Sequence, residues 1–405
     1  MSRALVLVFL LAVTTAACDG EYLGEPPDFV GIHYPISAAV DSDGKHLYIA
    51  NSNYNLAYKS AFISVLDLDS GDYLPASGVS MGSFPGSMLL SQPSWGVGDR
   101  GYLAVREDNS LTWFDVDRSG AAPVLACQDP DEVLPDRRCS GRYVVSEGYD
   151  ATNEVSKELG SDPFSIQPLR LGDKPGLLVG TVGSGTVELF SLEADGQPVA
   201  RDRAYVAQGL SGMVVHPSGA VFACSRYSAR LYKLGLEADT EGYGHFQTLQ
   251  SQALPVAVAN NDYCRSLALT ADGSRLLLLY RSPDSLMVFD SSTAWTPARD
   301  GFALPVLGAT IPLGRYPSTL AIFPSGEGGR ELVYVLNYGE HSVLVVDPEA
   351  MAVVAQVEVA KAPFSMVYNP LRKEGYVLNF ETDSVSVLDL DPASATYHTV
   401  KGEWK

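Results

Sequence analysis

The sequence predicts an all-β fold, a seven-bladed β-propeller of four-stranded antiparallel blades around a central channel. One observation is that a pattern of apolar runs and turn residues recurs seven times, at spacings of 46 to 78 residues. A second is that each copy holds several short runs of strand length, the pattern of a propeller blade. A third is that 46% of the 405 residues are hydrophobic, which is enough for a large core and too many for a disordered chain.

The last two copies define the repeat most clearly. One has apolar runs at residues 316–322, 334–337 and 342–347, and the next has them at 362–368, 376–379 and 384–389. Two positions after the proline position of the first run, which is Pro317 or Pro363 in these two copies, every copy has a small hydroxyl residue. These residues are Ser37, Ser87, Ser165, Ser211, Ser266, Thr319 and Ser365. We expect their hydroxyls to bond to the backbone of neighbouring blades and to line the channel.

The repeat also resembles a known family. A Tyr-x-x-Asn run at residues 48–51, 334–337 and 376–379 is followed by a strand that ends in Asp67, Asp347 or Asp389. This pattern resembles the YVTN (YncE-like) family of seven-bladed propellers over nearly all of residues 30–400. We place one propeller domain at residues 29–405, with a loop insertion at 121–160. To close the ring, we expect residues 29–32 to supply part of the seventh blade; the alternative is an outer strand from residues 396–400.

The N-terminus predicts export. Arg3 precedes an apolar stretch at residues 5–11 and small residues at 15–17, and Cys18 follows at once. This order resembles a bacterial lipoprotein signal. The resemblance implies a signal peptide at residues 1–17, acylation of Cys18 and a lipid-anchored acidic tether at 18–28. The alternative is an ordinary secretory signal. We therefore expect the protein in the bacterial cell envelope, on the periplasmic face or the cell surface, with membrane contact through the lipid only.

Export also permits disulfide bonds. The chain has five cysteines, and four remain to pair when Cys18 is acylated. In a propeller, the end of one blade's second strand meets the start of the next blade's first strand. This brings Cys224 to Cys264 and favours a second pair between Cys127 and Cys139. The alternative is that Cys224 and Cys264 are reduced core residues.

Long loops and arginines collect on one face of the predicted ring. Five arginines follow second strands or lie beside first strands, and they are Arg106, Arg226, Arg265, Arg281 and Arg315. Converging at the channel mouth, they could hold a carboxylate or phosphate through bidentate hydrogen bonds. His33 precedes the first blade on the same face and is a further candidate ligand-binding residue. The alternative is that the arginines are separate, solvated and paired with Asp150, Asp262 or Glu107.

No catalytic residue, metal site or cofactor site is predicted. The chain lacks a Gly-x-Ser-x-Gly elbow, a His-Glu-x-x-His motif and a phosphate-binding loop, and its six histidines show no ligand spacing. We therefore expect a monomeric, non-catalytic scaffold that binds an envelope protein, a peptide or a glycan. The alternative is a lactonase-like hydrolase at the channel mouth, because some similar propellers are lactonases. A net charge of −20 argues against nucleic-acid binding.

Overall fold

Seven antiparallel sheets follow one another along the chain, and each is one blade of four strands, with a fifth short strand added to the second blade. The first strand of each blade contacts the first strand of the next, and the seventh contacts the first, so the first strands surround a central channel. The structure, a computed structural model, describes residues 24–149, 155–156, 158–238, 242–255, 263–292 and 302–405. The predicted fold class is confirmed.

Blades one and two come first along the chain, and blade two includes the insertion at residues 121–160. Blade one consists of β1 (Pro35–Val40), β2 (His46–Asn51), β3 (Ala61–Asp67) and β4 (Ser80–Met81). Blade two consists of β5 (Pro85–Leu90), β6 (Arg100–Val105), β7 (Ser110–Asp117), β8 (Val124–Ala126) and β9 (Val144–Val145). Both β8 and β9 pair with β7, so the insertion adds to the outer edge of blade two. A separate strand pair is formed by β10 (Gly148–Tyr149) and β11 (Val155–Ser156).

Blades three to five are regular four-stranded units. Blade three consists of β12 (Pro163–Leu171), β13 (Lys174–Thr181), β14 (Thr186–Leu192) and β15 (Pro198–Tyr205). Blade four consists of β16 (Leu210–Val215), β17 (Val221–Ser225), β18 (Ser228–Ala238) and β19 (Gly244–Ala253). Blade five consists of β20 (Cys264–Leu269), β21 (Arg275–Arg281), β22 (Asp284–Asp290) and β23 (Ile311–Pro312).

Blades six and seven complete the ring. Blade six consists of β24 (Pro317–Phe323), β25 (Leu332–Asn337), β26 (Ser342–Asp347) and β27 (Ala352–Glu358). Blade seven consists of β28 (Pro363–Asn369), β29 (Glu374–Asn379), β30 (Ser384–Asp389) and β31 (Val400–Trp404). The helical segments of the described chain are single 3₁₀ turns at Pro93–Trp95, Pro135–Arg137, Gly141–Tyr143 and Glu327–Gly329. None of these described helices is long and apolar enough to cross a bilayer.

The middle strands form the interior of each blade. All six residues of β25 and all six of β26 are buried, whereas most of the outer strand β27 is exposed. Each blade has a neighbour against both faces, so its middle strands are covered on both sides and are continuous apolar runs in the sequence. The repeated Tyr-x-x-Asn and Val-rich segments are therefore the layers through which blades pack.

The C-terminus supplies the outer strand of blade seven, because Val385 pairs with Trp404 and Val387 with Gly402. The prediction that residues 29–32 contribute to this blade is therefore wrong. The observed outer strand β31 starts four residues later than the alternative strand expected at residues 396–400. The reason is a turn held by Asp389, whose Oδ2 accepts hydrogen bonds from Ser394 Oγ at 2.5 Å and Thr396 Oγ1 at 2.6 Å. This turn uses residues 390–399, so pairing starts only at Val400.

The ring closes through packing and polar contacts between blades one and seven. Tyr34 N donates to Asp383 Oδ1 at 2.7 Å, and Asn369 Nδ2 donates to Gly44 O at 2.9 Å. The residues expected to form a strand instead pack across this junction, where Ile32 is buried in the cluster that joins the two blades. Blade seven is therefore built from one continuous piece of chain.

Residues 1–23, with the predicted signal peptide and Cys18, lie outside the described residues. The described end of the predicted tether lies against blade one. There, Glu25 N donates to Ala57 O and Lys59 N donates to Glu25 O, both at 2.9 Å. The chain therefore enters the fold beside the loop that joins β2 to β3.

Candidate functional site

Each blade begins with the same backbone irregularity. In six blades the residue before the first strand has a positive φ, and these are Tyr34, Phe84, Asp162, Gly209, Tyr316 and Ala362. The register of the first strand then shifts next to its start in all seven blades. Such a bulge turns a side chain away from the pleat. The residues in the bulges all line the mouth of the channel, and they are Ile36, Gly86, Ser87, Phe164, Ser211, Arg265, Ser318 and Phe364.

A second position repeats around the mouth. In six blades the residue just after the second strand donates its backbone N–H to the carbonyl of the residue before the first strand, and in blade five the last residue of the second strand does so. These donors are Ser52, Arg106, Val182, Arg226, Arg281, Tyr338 and Phe380. The equivalence explains why arginines after second strands were reasonable candidates. The same position also carries aromatic residues in blades six and seven.

The mouth encloses a cavity of about 600 Å³. Three of the predicted arginines line it, namely Arg226 from blade four and Arg265 and Arg281 from blade five, and each is half-buried. One backbone segment connects them. Tyr263 N donates to Arg226 O at 2.9 Å, and Arg281 N donates to Tyr263 O at 3.0 Å. Arg265 lies two residues after Tyr263 on the same segment. The structure therefore brings these three arginines together on one side of the mouth.

The other predicted ligand-binding residues are outside the cavity lining. Arg106 binds the carboxylate of Asp162 through both Nε and Nη2. Arg315 is exposed and donates from Nη2 to Gly339 O at 3.1 Å. His33 is held by its own neighbours, since its Nε2 lies 3.0 Å from Tyr58 Oη.

The predicted ion-pair partners of the arginines differ from the observed contacts where these are described. Arg106 pairs with Asp162. Glu107 instead accepts a hydrogen bond from the backbone N–H of Ser83. Asp150 and Asp262 lie outside the described residues.

Sequence reasoning missed an aromatic wall that blades one, six and seven contribute to the mouth. Its cavity-lining members are Tyr54, Tyr316, Tyr338, Phe364 and Phe380. The Phe380 ring lies 5.2 Å from that of Tyr54 and 5.7 Å from that of Phe364, between ring centroids. Tyr54 is 61% exposed and Tyr316 54% exposed. One signal was available, because Tyr338 and Phe380 directly follow the Tyr-x-x-Asn motif.

The hydroxyl residues predicted from the repeat all line the cavity. Ser37 Oγ donates to Gly86 O of the next blade at 2.8 Å, and Ser211 Oγ donates to Cys264 O at 2.7 Å. These two bonds confirm the predicted link between blades. In blade four, however, the predicted hydroxyl position is one residue too early. Ser211 occupies the bulge, and Gly212 is the residue equivalent to the serine or threonine of the other blades. A Cβ at Gly212 would lie 2.9 Å from Leu267 N and 3.0 Å from Cys224 Sγ, so the close approach of blade five requires glycine.

Both predicted disulfides are present. Cys127 bonds to Cys139 and Cys224 to Cys264, with Cα atoms 4.7 and 5.9 Å apart. The second bond joins the second strand of blade four to the first residue of blade five. Cys224 lies two residues before Arg226 and Cys264 directly precedes Arg265. This disulfide therefore fixes the backbone that carries two of the mouth arginines.

The described residues that line the cavity include no Asp, Glu or His. Among these residues, Tyr338 has the most strongly shifted pKa. Burial, together with a hydrogen bond that its hydroxyl donates to Glu381 at 3.0 Å, raises this pKa to about 12. Its hydroxyl stays protonated near neutral pH and cannot act as a base there. Within the described part of the chain, no cluster of three His, Cys, Asp or Glu residues could hold a metal ion.

Solved structures with the same fold match most of the chain. A Bacteroides fragilis protein described as a "putative 6-phosphogluconolactonase" gives a TM-score of 0.60 at 15% identity and covers 90% of this chain and 96% of that chain. Virginiamycin B lyase from Staphylococcus aureus gives 0.51 at 11% identity, with 88% and 94% covered. The dihydro-heme d1 dehydrogenase NirN gives 0.52 at 16% identity, with 90% and 64% covered. No family model and no curated protein matches the sequence. At these identities, the comparisons establish a shared β-propeller fold.

Proposed function

We propose that the protein is a binding propeller of the cell envelope that holds an anionic ligand at the channel mouth without transforming it. The observation that carries this proposal is the group of Arg226, Arg265 and Arg281 on one side of the cavity. Guanidinium groups remain charged at every physiological pH and bind carboxylate or phosphate through paired hydrogen bonds.

The setting of these arginines favours an anion. The chain has 48 acidic and 28 basic residues, yet the described cavity lining contains three arginines and no carboxylate. Half-burial makes each charge–charge interaction stronger than it is at a solvated surface, because the effective dielectric is lower. The arginines also come from two adjacent blades that a disulfide joins, so the backbone that carries the group is held in place before a ligand arrives.

Binding is favoured over hydrolysis by the composition of the cavity. Lactone hydrolysis needs a group that activates water, normally a carboxylate or histidine within hydrogen-bond reach. The described lining offers hydroxyls, one glutamine, arginines and aromatic rings instead. The lactonase-like alternative is supported only by the name given to structural neighbours at low identity. Purified protein that hydrolyses 6-phosphogluconolactone, with activity lost in Arg265→Gln, would favour that alternative.

The envelope location is part of the proposal. Two disulfides are typical of proteins outside the cytoplasm, and they fit export by the predicted lipoprotein signal. A Cys18→Ala variant should leave the membrane fraction and appear in the soluble fraction after cell breakage. Continued co-sedimentation of this variant with membranes would contradict the lipid anchor.

The anion site is tested by calorimetric titration of the full-length protein with inorganic phosphate, citrate and benzoate. We expect Arg226→Gln and Arg281→Gln to weaken binding of the best of these probes at least tenfold. Arg106→Gln and Arg315→Gln are matched controls, because they remove the same charge from outside the cavity. Equal losses in all four variants would show that only net charge matters, and the site would then be wrong.

A further inference from the structure

The channel mouth has three chemically different surfaces, which together describe the ligand more closely than its charge does. The arginines occupy blades four and five, and the aromatic wall comes from blades one, six and seven. The third surface is a set of small hydroxyl residues that the first strands contribute to the same cavity. A ligand that fills the cavity contacts all three surfaces.

The hydroxyl surface is rich in acceptors. Ser37, Ser211 and Ser318 each use their proton in a bond to a carbonyl of the next blade, at 2.8, 2.7 and 2.8 Å. A hydroxyl oxygen that donates its proton keeps lone pairs for incoming donors. Such a surface suits a ligand with several hydroxyl groups.

The aromatic wall offers exposed ring surface. Tyr54 and Tyr316 are more than half exposed, although large aromatic side chains normally bury most of their surface. The negative face of an aromatic ring attracts the weakly positive C–H bonds of an aliphatic ring. The guanidinium of Arg281 lies 5.5 Å from the Tyr316 ring, which brings an anion-binding group and a stacking surface side by side.

We propose that the ligand is a short saccharide that carries a carboxylate, that is, one or two uronic acid residues. This inference rests on the proposed function and adds the substrate class to it. The carboxylate binds the arginines, the sugar hydroxyls donate to the serine oxygens, and the C–H face of a ring stacks on Tyr54 or Tyr316. A cavity of about 600 Å³ is within the range of small-ligand sites, so a short saccharide fits better than a folded partner.

The test compares ligands that differ in one feature at a time. Full-length protein is titrated in a calorimeter with digalacturonate, its neutral counterpart galactobiose, glucose 6-phosphate and inorganic phosphate. We expect digalacturonate to bind at least tenfold more tightly than each of the other three. Saturation-transfer NMR should show contact between protein protons and the C–H protons of the sugar ring. Glucose 6-phosphate binding tenfold more tightly than digalacturonate would overturn the carboxylate assignment.

Variants separate the sugar contacts from the anion contacts. Tyr54→Ala and Tyr316→Ala should each weaken digalacturonate binding at least fivefold and leave phosphate binding unchanged. Tyr205→Ala is the matched control, because Tyr205 is 63% exposed at the end of an outer strand and does not line the cavity. Equal effects of Tyr54→Ala and Tyr205→Ala would overturn the stacking role.

Failure of this inference differs from failure of the proposed function. If phosphate binds in an Arg281-dependent way while digalacturonate binds no more tightly, the anion site stands and the saccharide assignment is wrong. If digalacturonate binds and Arg281→Gln has no effect, the arginine site is wrong. If none of the probes or the three simple anions binds, both are wrong.

Discussion

Removal of the Cys224–Cys264 disulfide should destabilise the protein and also weaken the site. The bond closes a loop with a sequence separation of 40 residues, and the second disulfide closes one of 12. In the chain-entropy description, a bond across these separations restricts the unfolded chain by about 3.9 and about 2.8 kcal/mol, respectively. All four cysteines are buried, so the cavity left by an alanine pair is similar at the two places. The difference of about 1 kcal/mol therefore arises from loop length.

The measurement is urea unfolding of two double variants, Cys224→Ala/Cys264→Ala and Cys127→Ala/Cys139→Ala, each followed by circular dichroism. We expect the first pair to lower the free energy of unfolding more than the second. The first pair should also weaken binding of the anion probe, because the bond holds the backbone beside Arg226 and Arg265. The second pair lies at the outer edge of blade two and should leave binding unchanged. A larger loss of stability in the second pair, or equal binding in both, would refute the reasoning.

Three further predictions concern the scaffold. Gly212→Ala should lower the free energy of unfolding by about 2 kcal/mol or more, because the added Cβ would meet the backbone of blade five. Gly402→Ala is the control and should be nearly neutral, since its nearest contact would be 3.9 Å away. Equal urea midpoints for the two variants would contradict this prediction. Burial lowers the pKa of His398 to about 4, so the unfolded chain binds a proton first and stability should fall as pH drops from about 6.5 towards 4. A His398→Phe variant should show a smaller fall over that window, and an unchanged pH profile of the melting temperature would argue against it. Truncation after Thr399 removes β31 and should lower the melting temperature by several degrees, while a protein that melts as before would show that the C-terminal strand is dispensable.

The blades could be predicted because their middle strands are covered on both faces. Runs such as residues 334–337 and 342–347 are apolar except at their ends, and they recur with the same turn residues. Ring closure could not be predicted from the same signal. It depends on how far the turn at Asp389 extends, and a turn held by Ser394 and Thr396 side chains leaves no apolar periodicity.

The candidate site was predictable only in part. An arginine after a second strand is visible in the sequence, but the residue that the next blade places beside it is not. Arg106 lies beside Asp162 and stays outside the cavity lining, and Arg281 lies near the ring of Tyr316 and lines the cavity. Phe364 has the same sequence signature as a core residue. Only the bulge at the start of β28 turns it towards the channel.

The entry of the chain beside the loop between β2 and β3 has a consequence for orientation. Glu25 contacts the same loop that carries Tyr54, so the N-terminal segment joins the propeller on the side of the mouth. Under the proposed acylation of Cys18, Gly24 is six residues further along the chain than the lipid-bearing cysteine, a reach of about 20 Å when fully extended. The mouth would then face the lipid surface across a narrow gap. Ligands would then reach the site by a path parallel to the membrane surface. Polymers that are attached at or near the membrane would be the ligands nearest to the site.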